Sequence, residues 1–191
     1  MPAQQSPQIS VQAYLQQERT AEAKSEYLNG EVFAMAGASR RHNQITSNLV
    51  VSLGGQLAER DCSVLASDMK VRTAAREVDK YSYPDVVVAC DDEQYEDEEE
   101  DVLLNPRMII EVLSKSTEAY DRGLKFFHYQ LIPSLQDYLL VTQHYCRIEH
   151  YRRRDDKQWV YSEFHAMTDE LELSGLGCRL KVADVYRRVK L

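Results

Sequence analysis

Apolar positions along the chain fall into two kinds of pattern. Residues 83–89 (Tyr83, Pro84, Asp85, Val86, Val87, Val88, Ala89) and 108–113 (Met108, Ile109, Ile110, Glu111, Val112, Leu113) are short runs rich in β-branched side chains, which predicts two buried strands. Each carries one carboxylate in its middle. Side chains alternate along a strand, so Asp85 shares a face with Val87 and Ala89, and Glu111 shares one with Ile109 and Leu113. Helical spacing appears at Ile45, Leu49, Val50, Leu53 and Leu57, which predicts a helix from a Ser39 cap to about residue 60. Gly54 and Gly55 weaken it.

The remaining pattern is of short elements. Ser10 caps a helix over 11–15, and residues 26–35 form a hairpin about Asn29 and Gly30, where both turn positions need positive φ. Strands are expected at 63–66, 69–73, 136–141, 147–151 and 159–164, with a polar turn over 152–157. Helices are expected over 117–130, stopped before Pro133, and over 182–188. The connection over 90–106 is long for a compact domain, and its charge run is expected to be solvated and mobile. These alternating elements predict an α/β fold, and no composition shift divides the 191 residues, so a single domain over 1–191 is expected.

Charge changes this picture less than its total suggests. The formal net charge is −8, but residues 91–101 hold nine acids and no base, and the rest of the chain has 23 basic against 22 acidic residues. The body is neutral and lacks the basic footprint of a strong nonspecific nucleic-acid binder. Cys62, Cys90, Cys146 and Cys178 are far apart with no CxxC pair, which points to reduced thiols and a cytoplasmic protein. The polar start lacks a signal core, and no apolar run is long enough for a membrane span.

An ionised carboxylate on an apolar face needs a cation, a hydrogen-bond network or a raised pKa. If the strands bearing Asp85 and Glu111 are neighbours, one divalent metal answers for both, and a hard cation on one or two carboxylates is the usual magnesium arrangement. The plain alternative is that each acid closes a structural salt bridge or lies on a solvated face. Asp121, Lys125 and Tyr129 share one helical face at i, i+4 and i+8, as a functional group or as a surface ion pair. Asp68 and Lys70 share a strand face and can pair with each other. His144, Cys146 and His150 hint at zinc but lack its short paired spacings.

Taken in order, Glu26, Gly30, Met35, Ser39 and His42-Asn43-Gln44-Ile45, then Ser67-Asp68-Met69-Lys70, Pro84-Asp85-Val86-Val87-Val88, Glu111-Val112-Leu113-Ser114 with Ser116-Thr117, and Asp121, Lys125 and Tyr129 resemble the Uma-type restriction endonuclease family of the PD-(D/E)XK nuclease superfamily. The resemblance implies a restriction endonuclease-like mixed β-sheet flanked by α-helices and Mg²⁺- or Mn²⁺-dependent endonuclease hydrolysis of DNA. It implies metal ligands Asp85 and Glu111, with the Val112 carbonyl and Glu26 as further candidates, and a homodimer. It makes Lys125 catalytic alongside the two acids, with His42, Asp68 and Asp121 peripheral. The superfamily's second motif ends in a lysine two residues after the acid; here that position is Leu113, and the resemblance moves its role to Lys125. Gln143 stands where the family places an acid. Two alternatives stay open, an inactive nuclease-fold accessory or DNA-binding protein, and an interaction module whose acidic segment takes a basic protein partner.

Overall fold

The computed structural model describes residues 8–191. Ser10 caps α1 (Val11–Glu18) by accepting from the Ala13 N–H. The hairpin β1 (Ser25–Leu28) and β2 (Glu31–Ala34) follows, and its turn residues Asn29 (φ 48°) and Gly30 (φ 96°) both adopt the left-handed conformation expected of that dipeptide. Ser39 caps α2 (Arg40–Leu57) by accepting from the His42 N–H. Six strands come next: β3 (Cys62–Ala66), β4 (Lys70–Ala75), β5 (Val78–Ser82), β6 (Val86–Cys90), β7 (Val102–Leu103) and β8 (Met108–Leu113).

Where the spacing predicts one helix over 117–130, the chain forms α3 (Glu118–Tyr120), a π-helical turn (Asp121–Lys125) and α4 (Phe126–Tyr129). Strand β9 (Asp137–Thr142) leads to the hairpin β10 (Ile148–Asp155) and β11 (Gln158–Phe164), so three of the arginine-run positions expected in a turn continue the strand instead. The small hairpin β12 (Glu170–Leu173) and β13 (Cys178–Lys181) and the single turn α5 (Val182–Val185), shorter than expected, end the fold.

Two mixed sheets carry the architecture. One runs β2-β1-β5-β4-β7 and the other β11-β10-β9-β8-β6-β3. Within the second sheet β8 and β9 are parallel, and a parallel pair requires a crossover. That crossover is the segment α3–π turn–α4. It packs Phe126 and Tyr129 on the face bearing Val87, Ala89, Ile109, Leu113, Tyr138 and Leu140. The opposite face, with Val86, Val88, Met108, Ile110, Leu139 and Val141, is covered by Ile45, Leu49, Leu53 and Leu57 of α2. This is the α/β arrangement of mixed sheets and helices that the sequence predicts.

Two expectations are corrected. Cys62 and Cys90 are directly paired across β3 and β6 and joined as a disulfide, with Cα atoms 4.0 Å apart; only Cys146 and Cys178 are free. Strand pairing between cysteines 28 residues apart is invisible in their spacing, so the thiol argument for a reducing compartment falls away. Among the described residues no helix is long and apolar enough to cross a membrane.

The acidic segment is not a free solvated loop either. Arg19 reaches Asp97 and Asp101 at 2.7 and 2.8 Å, Arg72 reaches Glu96 at 2.9 Å, and Lys70 reaches Asp101 at 2.7 Å. Its end pairs as β7 alongside β4. Opposite charges distant in sequence fold onto it, which a local charge count misses. The hydrogen bonds from Arg19, helped by Lys70, hold the Asp101 carboxyl down at about 2 against the opposing effect of burial. Asp101→Asn would strand the buried Lys70 ammonium. We expect a loss of about 2 kcal/mol in urea denaturation, below the roughly 3–5 of a fully buried pair because Asp101 keeps 26% of its side chain in water. A loss under about 0.5 kcal/mol, in the range of an ordinary surface change, would return the segment to a solvated spacer.

Candidate active site

The register of β6 against β8 builds the centre. Val86 pairs with Ile110 and Val87 with Ile109, so continuing the ladder by one residue sets Asp85 opposite Glu111. Asp85 lies just before β6, where Pro84 delays the strand. Its Oδ2 accepts the Val112 N–H at 2.7 Å, and its Oδ1 accepts from His42 Nε2 at 2.7 Å. His42, at the first turn of α2, thus touches the centre rather than its periphery.

Glu111 is 4% exposed. Lys125 Nζ from the π turn stands 2.8 Å from its Oε1, which also accepts from the Tyr129 hydroxyl at 3.0 Å. Tyr129 in turn contacts Ser82 Oγ at 3.0 Å. Lys125 also reaches Glu26 Oε1 at 3.2 Å and Asp121 Oδ1 at 3.9 Å. Burial pushes the Glu111 carboxyl up to about 8, with Lys125 opposing and the charges of Asp121 and Asp85 reinforcing the rise. For Lys125 burial works downward, but Glu111, Tyr129, Glu26 and Asp121 outweigh it and hold the ammonium well above its ordinary value. Burial raises Glu26 too, yet Lys125, Lys80 and the Tyr83 N–H leave it below the usual carboxylate range.

Of the residues singled out from the sequence, Asp85, Glu111, Lys125, Glu26, Asp121 and His42 are therefore joined in one cluster. Asp68 is not. Its side chain is 88% exposed and pairs with Lys24, while Lys70 pairs with Asp101, so the Asp68–Lys70 pair that a shared strand face would allow does not form. His150 bonds Asp137 at 2.7 Å on the opposite face of the sheet, which leaves the zinc spacing without support.

One contributor was missed, and another was noted only as a departure from the family pattern. Gln143 accepts from Ser39 Oγ at 2.5 Å and donates to the Leu113 carbonyl at 3.0 Å, so a neutral amide ties the α2 cap to the end of β8. Lys80, on the unanticipated strand β5, lies behind the cluster with its ammonium 5.1 and 5.3 Å from the rings of Tyr120 and Tyr129. Its stretch alternates weakly, with Asp79 and Ser82 among the apolar residues, and gave no strand signal.

Among the described residues no three His, Cys, Asp or Glu side chains converge as a ready-made metal cage. The donor set still fits a hard cation. Two opposed carboxyl groups, one of them buried, could supply oxygen ligands and leave other positions to backbone, water and substrate, as magnesium prefers.

The family model described as "Putative restriction endonuclease" matches residues 11–183. The chain belongs to this Uma2 family. Two uncharacterized proteins of Synechocystis sp. are similar to it. One is 39% identical, covering 87% of this chain and 93% of its own, and the other 37% identical, covering 97% and 95%. A crystal structure of a "putative nuclease belonging to DUF820" from Anabaena variabilis superposes with a TM-score of 0.76 at 17% identity, covering 93% of this Uma2 chain and 97% of that one. At that identity the likeness establishes a shared fold.

The raised Glu111 carboxyl sets a pH dependence for the metal-free protein. Below about 4.5 Glu111 is protonated both folded and unfolded, and its contribution to stability is fully present. Between about 4.5 and about 8 the unfolded chain releases the proton that the folded protein keeps, so this contribution is lost as pH rises through that window. Denaturation midpoints in the presence of a chelator should fall across it for wild type and much less for Glu111→Gln. Parallel curves for the two proteins would show that Glu111 does not carry the effect.

Proposed function

We propose that this protein is a metal-dependent endonuclease that hydrolyses DNA phosphodiester bonds. The observation that carries the reading is the opposed pair Asp85 and Glu111 with the Lys125 ammonium 2.8 Å from Glu111. In this reading Asp85 and Glu111, with the Val112 carbonyl, hold one Mg²⁺ or Mn²⁺. Such an ion supplies Lewis-acid polarisation of the phosphate and lowers the pKa of its bound water. His42 and the Val112 N–H fix the Asp85 carboxylate, which limits how far the ligand can rotate.

Lys125 positions the attacking water and offsets negative charge that grows on the phosphoryl oxygens, an interaction strongest in the transition state. Glu26 and Asp121 hold Lys125 at its post, which gives Glu26 a role beside the metal rather than on it. Leu113 lies on the apolar face with Phe126 and Tyr138, so the lysine reaches Glu111 from the crossover helix instead of along the strand. Cutting both strands of a duplex favours a two-fold assembly, and a homodimer is part of the proposal.

Plasmid cleavage in Mg²⁺ or Mn²⁺ tests it. Asp85→Asn and Glu111→Gln should abolish cleavage while leaving the protein folded, because each near-isostere removes a charge that needs a cation. Cleavage at the wild-type rate by either variant would overturn the site, and DNA binding without cleavage by wild type would select the accessory-protein reading. Lys125→Ala should lower the single-turnover rate by about 100-fold or more, the range of a lost transition-state donor. If its rate is unchanged, Lys125 is only a structural counterion.

A further inference from the structure

Lys80 is the buried charge that the proposed chemistry does not use. It is 1% exposed, and its Nζ has no hydrogen-bond partner among the described residues. An unpaired ammonium in the interior is costly and is normally removed or satisfied. Its place is defined by the sheet. Lys80 pairs with Leu28 on β1 and Thr73 on β4, so it shares a face with Glu26, two residues before Leu28, and points into the layer under the crossover helix. The rings of Tyr120 and Tyr129 flank it and give a cation a favourable but undirected environment.

The charges that act on Lys80 are Glu26, Glu111 and Asp121 in attraction and Lys125 in repulsion, and Asp85 acts in turn on Glu111. Counting only its carboxylates and ammonium groups, with the acids ionised as a bound cation would hold them, the cluster has four of the first and two of the second. Its balance is two negative charges, which one divalent cation completes. Without Lys80 the balance would be three, and a single divalent ion would leave the site anionic.

Resting on the nuclease reading above, we infer that Lys80 is a positioning residue that sets the metal stoichiometry of the site at one divalent ion per chain. It does so through charge alone, from behind the carboxylates and without occupying a ligand position. Its burial keeps it from being screened by salt as a surface lysine would be. The same desolvation pushes its ammonium down to about 8.

Binding of Mn²⁺ alone, followed by the electron paramagnetic resonance of the free ion and by calorimetry, tests this without reference to cleavage. Wild type should bind one equivalent. Lys80→Met, which keeps the length and removes the charge, should bind the first ion at least about tenfold tighter, as removal of a like charge from a site of low effective dielectric requires, and should accept a second. Lys80→Gln is the alternative variant should the methionine protein fail to fold. Two equivalents in wild type, which needs no variant, would overturn the inference. So would folded Lys80 variants with wild-type number and affinity, since a merely structural lysine leaves both unmoved. Asp85→Asn separates this from the site itself: undiminished Mn²⁺ binding by that variant would sink the metal site rather than the role of Lys80.

Discussion

Everything at the centre of this molecule depends on charge that has been taken out of water. Glu111 is fully enclosed between a sheet and a helix, and a lone carboxylate there would be neutralised or expelled. The fold answers with Lys125 and the Tyr129 hydroxyl on the same oxygen, while Asp85 directly across the ladder adds a like charge that must itself be satisfied. Each of those responses brings its own demand. Lys125 needs Glu26 and Asp121, Asp85 needs His42 and the Val112 N–H, and so the network grows until it spans α2, both sheets and the crossover helix. The architecture around it reads as the means of keeping these groups dry and in register.

That network explains why membership of the Uma2 family and the geometry support each other. A single acid in an apolar strand has many structural explanations. Two acids brought opposite one another by antiparallel pairing, with a lysine delivered from the connecting helix, have few. Burial above all holds Glu111 toward its neutral form, while Glu111, Tyr129, Glu26 and Asp121 keep Lys125 firmly charged. In the proposed reading a divalent cation would supply the positive charge that Glu111 and Asp85 still lack.

Much of this was legible in the sequence, for identifiable reasons. Asp85 and Glu111 stood out because alternation in a strand is strict and their neighbours are β-branched; Lys125 stood out through the family resemblance, since its helical spacing with Asp121 and Tyr129 fits a surface ion pair equally well. What escaped notice was whatever depends on which segments become neighbours. The Cys62–Cys90 bond follows from β3 lying beside β6, and the anchoring of the acidic segment follows from α1 and β4 lying beneath it. Lys80 was hidden because β5 interrupts its apolar positions with polar ones that are satisfied or enclosed only after folding. The π turn was hidden because its sequence is compatible with an ordinary helix. His42 was visible as a residue but not as the partner of Asp85, since a polar side chain at a helix start has an unremarkable explanation of its own.

The crossover between β8 and β9 has one more consequence. Parallel neighbours oblige the chain to travel back along one face of the sheet, and the return path here carries the lysine. In the proposed reading the metal-holding acids and the water-positioning lysine therefore reside on different structures, the first on or beside central strands and the second on a short helix broken by a π turn. Local opening of that return segment would withdraw the lysine while the acids stay in place. Under the proposed nuclease reading, ion capture and bond cleavage would then draw on separate parts of the fold.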